Sequence, residues 1–357
     1  MTQLAIAMAG GLPLDADLML AEPPVPPFDW VREGTSYWVF DDAGGFAIPR
    51  VGIEAEPHSW DNRRYQANFA LADGRVLQAM GRGAMRPIAN ARGLPAVMGA
   101  GPVTFECCEP FERWSVRYAG EVIDTDLDAM LNSAVDSSRT THLAYEFEAR
   151  MAVPADVQDI SPARFFTWGK GKQRDAASVG LGWRFQQLMT IEGEYTLDGK
   201  RHPFTATGNR VKRRSVRTDG LFLRGHCWMS AVFPDGRAFG FEVRPVHDDG
   251  HEPWNEAFVY QDGRMHHGKV VRIPWLDAII ARDEDVAVEI ETDLGTTRIA
   301  GRTQISTFRL ASDVLWGLSL HQGSVRYEWD GQVAYGMIER SKVEKGFGAR
   351  AGGQGHL

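Results

Sequence analysis

Residues 65–77, with the sequence YQANFALADGRVL, decide what kind of fold this chain adopts. Two runs of alternating apolar and polar side chains flank the pair Asp73-Gly74, and such a pair between such runs is a strong signal for a β-hairpin. The same Asp-Gly pair recurs downstream, beginning at Asp198, Asp219, Asp235, Asp249, Asp262 and Asp330. So many chain reversals predict an all-β protein built of short antiparallel strands.

The spacing of apolar residues supports the same fold class. Runs such as 143–149 and 325–329 alternate large apolar with polar side chains, which places each kind on one face of a sheet. A helical period fits only the short segments 124–134, 175–187 and 310–316. Many short strands with turns between them are typical of β-sandwiches and β-barrels, and closing a barrel removes exposed edges.

The length of 357 residues favours two domains, because cores of single domains rarely grow to this size. A lead-in over 1–24 runs into a Pro-rich stretch, and two prolines within 151–162 interrupt the strand-like alternation near the middle of the chain. We therefore predict an N-terminal domain over 25–155 and a C-terminal domain over 156–345. The segment 346–357, with its paired glycines, is expected to be a flexible tail.

The net charge of −8 disfavours nucleic acid as a partner. One basic run, 210–217, is interpreted as a solvated edge strand, with a site for a phosphate-bearing ligand as the alternative. The chain has no apolar stretch near 18 residues, and its first 20 residues lack the basic start of a signal peptide. The 3 cysteines show no disulfide spacing, so we predict a soluble, cytoplasmic protein without an integral membrane segment.

Several cofactor and nucleophile motifs are absent from the sequence. There is no G-x-S-x-G elbow, no Walker spacing at 169–172 and no G-x-G-x-x-G that opens a βαβ unit. Histidines at His247, His251, His266 and His267 lie in or near turns and are interpreted as surface residues rather than metal ligands. We therefore expect neither a cofactor nor a metal.

The residues with the best prospects for chemistry are His226, Trp228, Tyr260 and Asp262. His226 and Trp228 have i, i+2 spacing, and so do Tyr260 and Asp262. The two side chains of each pair therefore share one face of a strand, and two adjacent strands could form one cluster. A carboxyl buried in an apolar cavity can stay protonated and donate to an alkene, aromatic faces attract the developing cation, and an imidazole can activate water. Alternatively, Asp262 is an exposed turn residue before Gly263, and the two aromatic residues belong to a core.

Further candidates for substrate contacts come from a weak sequence similarity between two parts of the chain. His58-x-Trp60 precedes an aromatic strand and an Asp-Gly pair, as His226-x-Trp228 does, which suggests related tandem domains. We add the aromatic residues Trp183 and Trp254 as candidate substrate contacts. Another candidate is Glu339 in the last strand, which is an alternative acid or the partner of an arginine such as Arg340.

Four segments carry a resemblance to a known family: Gly208–Arg214, His226-x-Trp228, Tyr260-x-Asp262 and Ala334–Arg340. Over roughly residues 25 to 345 the chain resembles the hydroxyneurosporene synthase group, the carotenoid 1,2-hydratase superfamily of double lipocalin-like proteins, which includes survival-factor-like relatives. The resemblance implies two tandem lipocalin-like antiparallel β-barrels packed together around a hydrophobic cavity. It also implies catalytic roles for the His-x-Trp and Tyr-x-Asp pairs.

Three functions follow as hypotheses. The first is a cofactor-independent lyase or isomerase, of hydratase or dehydratase type, for an apolar terpenoid, steroid or polyketide-like substrate. The second is a non-catalytic carrier of such a hydrophobic small molecule, for which a preformed cavity suffices. The third is a pericyclase, in which cavity shape and a few hydrogen bonds fold the substrate. A homodimer is a further possibility.

Overall fold

Two groups of antiparallel strands, each closing on itself, make up most of the chain. The structure is a computed structural model that describes residues 3–22, 31–216, 224–310 and 318–343. The strands of the first group are β1 Val31–Asp41, β2 Phe46–Ala55, β3 Asn62–Leu71, β4 Arg75–Ala84, β5 Val97–Ala100, β6 Val103–Glu109, β7 Arg113–Asp126, β8 Thr140–Met151, β9 Asp156–Ile160, β10 Leu181–Leu197 and β11 Lys200–Val216. Pairing of β4 with β7 closes the ring β1-β2-β3-β4-β7-β8-β10-β11, the first barrel, while β5, β6 and β9 extend it.

The second group is a closed barrel in which every strand pairs with its neighbours in chain order. Its strands are β12 Gly225–Val232, β13 Ala238–Val243, β14 Asn255–Gln261, β15 Arg264–Arg272, β16 Val288–Thr292, β17 Gly295–Arg309, β18 Leu318–Trp329 and β19 Gln332–Val343. β19 returns to pair with β12 and completes the second barrel. The predicted all-β fold of two antiparallel barrels is therefore confirmed.

Short helices connect the strands. They are α1 Gln3–Met8, α2 Leu127–Leu131, α3 Pro162–Phe165 and α4 Lys170–Val179, with 3₁₀ turns at Leu14–Asp17 and Pro57–Ser59. The helix predicted over 124–134 is thus a single turn, and the one over 175–187 ends where β10 begins. The third predicted helix falls almost wholly outside the described residues. No helix in the part of the chain that the structure describes is both long and apolar enough to cross a membrane.

Most of the Asp-Gly pairs lie in hairpin turns, as their sequence context predicts. The pairs at Asp198, Asp262 and Asp330 have positive φ at both residues, the conformation that two-residue hairpins with right-handed twist require. The pairs at Asp73 and Asp235 join β3 to β4 and β12 to β13. Asp219 lies outside the described residues. Local turn chemistry therefore accounts for much of the strand order.

The basic run predicted as an edge strand lies instead in the middle of a sheet. β11 pairs with β1 on one side and β10 on the other, so it has no free edge. Arg210 is fully buried and pairs with the equally buried Asp17 at 2.8 Å, and Lys212 lies 3.7 Å from the buried Glu33. The prediction was wrong because the acids that neutralise this run come from the N-terminal segment and from β1, far away in sequence.

Sheet membership changes between Val216 and Gly225. β9, β10 and β11 belong to the first sheet, so the division predicted at residue 155 falls inside that sheet. The two prolines near this point flank β9, which pairs with β10 instead of serving as a linker. We propose that the two domains divide between β11 and β12.

Candidate active site between the barrels

A row of directly opposed residues crosses the outer face of the second barrel. In register, Glu242 on β13 faces Trp228 on β12, which faces Glu339 on β19, which faces Gln322 on β18, which faces Thr307 on β17. All five side chains are buried, although four of them are polar. Neighbouring strands lie about 4.8 Å apart, so the row brings these groups into one layer. We call these five residues the polar row.

Strand alternation explains why the row points away from the interior of its own barrel. Cys227 and Met229 pack into the core of the second barrel, so Trp228 between them projects outward. There it meets Trp38 of β1, whose own neighbours Tyr37 and Val39 pack inside the first barrel. The two indole rings lie edge to face with 4.9 Å between centroids. The polar row is therefore buried by the first barrel.

Three donors converge on the carboxylate of Glu339. Its Oε2 accepts from Gln322 Nε2 at 2.6 Å and from Trp38 Nε1 at 3.2 Å, and its Oε1 lies 3.3 Å from His226 Nε2. Burial raises the pKa of this carboxyl, but the hydrogen bond and charge of His226, with Arg50 and Gln322, outweigh burial and bring the pKa to about 2. Glu339 is therefore ionised across the physiological pH range.

His226 is held at both ring nitrogens. Ser341 Oγ lies 2.6 Å from Nδ1, and Glu339 Oε1 lies 3.3 Å from Nε2. Since an ionised carboxylate only accepts, Nε2 carries a proton and donates to Glu339; in the neutral form of the ring, Nδ1 then accepts from the Ser341 hydroxyl. Ser341, His226 and Glu339 thus form a hydrogen-bonded relay in which a carboxylate orients the imidazole.

Trp228 is packed on several sides, so its indole contributes a hydrogen bond from its edge and offers no free ring face. Its Nε1 donates to Gln186 Oε1 at 2.9 Å, and the guanidinium of Arg184 lies 5.0 Å from its ring centroid. Arg184 also pairs with Glu242, whose other oxygen accepts from Arg244 at 2.7 Å. The indole face predicted to attract a substrate cation is therefore already occupied by a guanidinium of the protein.

Glu242 is the second ionised carboxylate of the polar row. Burial raises its pKa, but the charges of Arg184, Arg244 and His226 outweigh burial and bring the pKa to about 2. The row therefore carries two negative charges, one on each side of Trp228, each matched by cationic or hydrogen-bonding partners. Such a network holds the row in one arrangement, since any broken pair would leave a buried charge.

A cavity of about 430 Å³ lies between the barrels at the Thr307 end of the polar row. β3 and β4 of the first barrel form one wall, and β17 and β18 of the second barrel form the other. The lining residues are Gln66, Asn68, Val76, Gln78, Ala79, Met80, Ile123, Met130, Ser133, Val135, Thr307, Phe308, Arg309, Leu320 and Gln322. This volume is in the range of small-molecule sites. Gln322 both lines the cavity and donates to Glu339, so it connects the cavity to the relay.

The structure does not bring the two predicted catalytic pairs together. His226 lies beside Cys227, the β12 partner of Val243, whereas Tyr260 faces Ala238 at the other end of β13. Five residue steps along a strand correspond to about 17 Å. Asp262 is exposed in the hairpin turn between β14 and β15 with φ 52°, so it is not the acid in an apolar cavity that we expected. The turn chemistry of Asp-Gly decides its position.

The other predicted contacts are also spread over the molecule. His58 is exposed in a 3₁₀ turn, and Trp60 beside it packs against the core of the first barrel. Trp183 stacks on Phe185, and Trp254 is fully buried against α4, 5.5 Å from the ring of Trp168. The similar sequences His58-x-Trp60 and His226-x-Trp228 therefore lie in different local structures, the first in a turn and the second in a strand. Of the predicted residues, only His226, Trp228 and Glu339 share one cluster.

Other members of the cluster were missed at the sequence level, notably Trp38, Gln186, Gln322 and Ser341. Their strands read as ordinary alternating runs, because a residue facing the other barrel looks like a residue facing solvent. One signal was available. Gln186-Gln187 stands within a mostly apolar strand, and both amides are buried. Polar residues inside an apolar strand indicate a partner on the facing surface.

The comparison with family models finds no match, and no curated protein matches the chain. Solved structures do match. A protein from Nitrosomonas europaea described as AttH shows 16% identity and a TM-score of 0.57 over 92% of this chain and 99% of that one. CghA, solved with Sch210972, shows 10% identity and a TM-score of 0.53 over 92% and 97%. Kievitone hydratase from Nectria haematococca shows 9% identity and a TM-score of 0.50 over 88% and 89%. The chain therefore has the double lipocalin-like fold that its resemblance to the carotenoid 1,2-hydratase superfamily predicted.

Proposed function

We propose that this protein is a cofactor-independent enzyme of the hydratase or dehydratase type, acting on an apolar substrate held between the two barrels. The observation that supports it most is the link from cavity to relay. Gln322 lines the cavity and donates to Glu339, which holds His226, which meets the Ser341 hydroxyl. One of the similar structures is a kievitone hydratase, which is consistent with catalysis of this type.

The state of the carboxylates favours one kind of hydration chemistry over another. Protonation of an isolated alkene needs an acid that is protonated near neutrality, and Glu339, with a pKa of about 2, is not one. An imidazole held by an ionised carboxylate is suited to accepting a proton from water or from a carbon next to a carbonyl. We therefore favour water addition to, or elimination from, a double bond conjugated to a carbonyl group.

The roles of the residues follow from their positions. In water addition, the Ser341 hydroxyl, which faces Nδ1, gives its proton to His226 as it takes one from the attacking water. The imidazolium then returns a proton through the same hydroxyl to the carbon next to the carbonyl, and elimination is the reverse of these steps. Glu339 positions His226 and stabilises the imidazolium that results. Gln322 couples this pair to the cavity wall. Asp262 has no role in this scheme, because it lies in an exposed turn.

A pericyclase is the second candidate, and the composition of the cavity wall favours it. The wall carries the carboxamides Gln66, Asn68, Gln78 and Gln322, and its one ionisable side chain among the described residues is Arg309. A cycloaddition needs a shaped cavity and donors that polarise a carbonyl, but no acid-base pair. A carrier would need only the cavity.

Mass spectrometry in oxygen-18 water distinguishes these functions. Terpenoid, steroid and polyketide-like enones would be incubated with the purified protein, with His226→Gln and Glu339→Gln, and with Asp262→Asn as the control. A product with one labelled oxygen, lost in the first two variants and kept in the control, is the expected result. An unlabelled isomer formed equally by all four proteins would favour a pericyclase, and binding without any product would favour a carrier.

A further inference from the structure

One cation in the inter-barrel cavity, Arg309, has no anionic partner among the residues that the structure describes. Arg309 is the last residue of β17 and lies on the wall that the second barrel contributes, next to the end of the polar row. Within the ranges that the structure describes, its guanidinium makes no hydrogen bond and no ion pair. By contrast, Arg184 and Arg244 beside the polar row are both paired with Glu242. A cation left unpaired in a partly apolar cavity is costly unless a ligand supplies the counter-charge.

The charges around Arg309 do not supply that counter-charge. Burial, together with the nearby guanidiniums of Arg50 and Arg64, lowers its pKa, and Glu339 is the acid that opposes this effect. Glu339 is already engaged by His226, Gln322 and Trp38. A guanidinium remains charged in proteins even so. The cavity therefore has a surplus of positive charge at this wall.

The remaining wall consists of apolar side chains, neutral amides and the hydroxyl side chains Ser133 and Thr307. Val76, Ile123, Met130 and Leu320 supply apolar surface, and Gln66 on the opposite barrel carries a buried Nε2 that has no hydrogen-bond partner among the described residues. An apolar ligand body would be accommodated by this surface. A ligand oxygen between the two barrels would satisfy the unpaired donors on both sides.

We propose that the ligand of this cavity is an apolar monocarboxylic acid whose carboxylate pairs with Arg309 while its hydrocarbon body lies against Val76, Ile123, Met130 and Leu320. The planar guanidinium matches a carboxylate with two parallel N–H bonds. A phosphate dianion would leave one negative charge uncompensated, because Arg309 is the one cation on the wall among the described residues and the nearby Arg50 and Arg64 each pair with a glutamate. This inference rests on the proposed function, since it takes the same cavity as the substrate site.

Calorimetry with matched ligands tests the proposal. Decanoate, decan-1-ol and decyl phosphate would be titrated into the full-length protein, into Arg309→Met and Arg309→Lys, and into Arg326→Met as a control. Arg326 is a good control because it lies on the adjacent strand β18, half-exposed, and pairs with Glu328 at 3.5 Å. We expect decanoate to bind wild type at least about tenfold more tightly than decan-1-ol, since a charge-assisted hydrogen bond contributes on that scale.

The variants separate charge from packing. Arg309→Met should remove the preference for the acid and leave the affinity for decan-1-ol unchanged, Arg309→Lys should keep part of the preference, and Arg326→Met should keep all of it. A carbon-13 titration of carboxyl-labelled decanoate gives a second readout. The bound carboxylate should stay ionised to lower pH in wild type than in Arg309→Met.

The other outcomes overturn the proposal in distinguishable ways. Equal affinity for acid and alcohol in wild type, or tighter binding of decyl phosphate, would overturn the carboxylate assignment and leave the cavity as the proposed substrate site. Ala79→Trp, which fills the cavity, separates the two proposals. If none of the ligands binds, or if binding survives Ala79→Trp, then the cavity is not the site and both proposals fail.

Discussion

Trp38 Nε1 donates to Glu339 Oε2 at 3.2 Å, although 301 positions separate the two residues in the chain. This bond joins the outer face of the first barrel to the polar row on the second. Because the same carboxylate holds His226, the orientation of the imidazole depends on both barrels. The candidate active site therefore exists only where the two barrels pack together.

Removing the Trp38 donor should destabilise the protein. Trp38→Phe keeps most of the ring and leaves a buried carboxylate with one donor fewer, which we expect to lower the free energy of unfolding by about 1–3 kcal/mol. Urea denaturation measures this. A double-mutant cycle with Glu339→Gln isolates the pair. A coupling energy near zero would show that the bond contributes nothing to stability.

The polar row should make stability depend on acid pH. The folded-state pKa values of Glu242 and Glu339, about 2, lie below the ordinary value of 4.5. A lowered pKa stabilises the native state above pH 4.5, by about 3 kcal/mol in the free energy of unfolding for each group. This stabilisation is lost as the pH falls toward 2. Urea unfolding between pH 6 and pH 3 should therefore show a shallower loss for Glu339→Gln than for wild type. Glu291→Gln, at a half-exposed surface pair, should follow wild type.

Substitutions in the β14–β15 turn should show that Asp262 acts through its backbone. Asp262 has φ 52°, a conformation that Asn tolerates and β-branched residues do not. Asp262→Asn should leave the free energy of unfolding within about 0.5 kcal/mol of wild type, while Asp262→Val should cost about 1–2 kcal/mol. Thermal unfolding of the two variants checks this. A large loss of turnover in Asp262→Asn would restore the catalytic role first expected of it.

The N-terminal segment should contribute strongly to the stability of the first barrel. Asp17 is fully buried and accepts from Arg210 at 2.8 Å, from Trp114 Nε1 at 3.0 Å and from the Phe111 amide at 2.7 Å. Asp17→Ala leaves a buried guanidinium unpaired and should cost about 3–5 kcal/mol. Asp15→Ala, at an exposed position two residues earlier, is the matched control and should be nearly neutral. Equal losses of stability in the two variants would show that the buried ion pair does not stabilise the first barrel.

Local sequence was enough to determine the strands and their turns. Residues 65–77 form β3, a turn at Asp73-Gly74 and the start of β4, as their alternation predicts. Both signals depend on neighbouring residues, since side chains alternate across a strand and Asp-Gly adopts positive φ. The same reasoning limited the candidate site, because alternation shows which residues share a face and not what that face meets.

The tertiary structure alone decided which faces meet. Pairing of β11 with both β1 and β10 buried a basic run expected at an edge, and closure of the second barrel put Tyr260 and His226 at opposite ends of its strands. Trp38 and Glu339 meet because each is the outward residue of its strand where two barrels touch. Such contacts join residues far apart in sequence, so they depend on register and barrel packing, which no local pattern of side chains encodes.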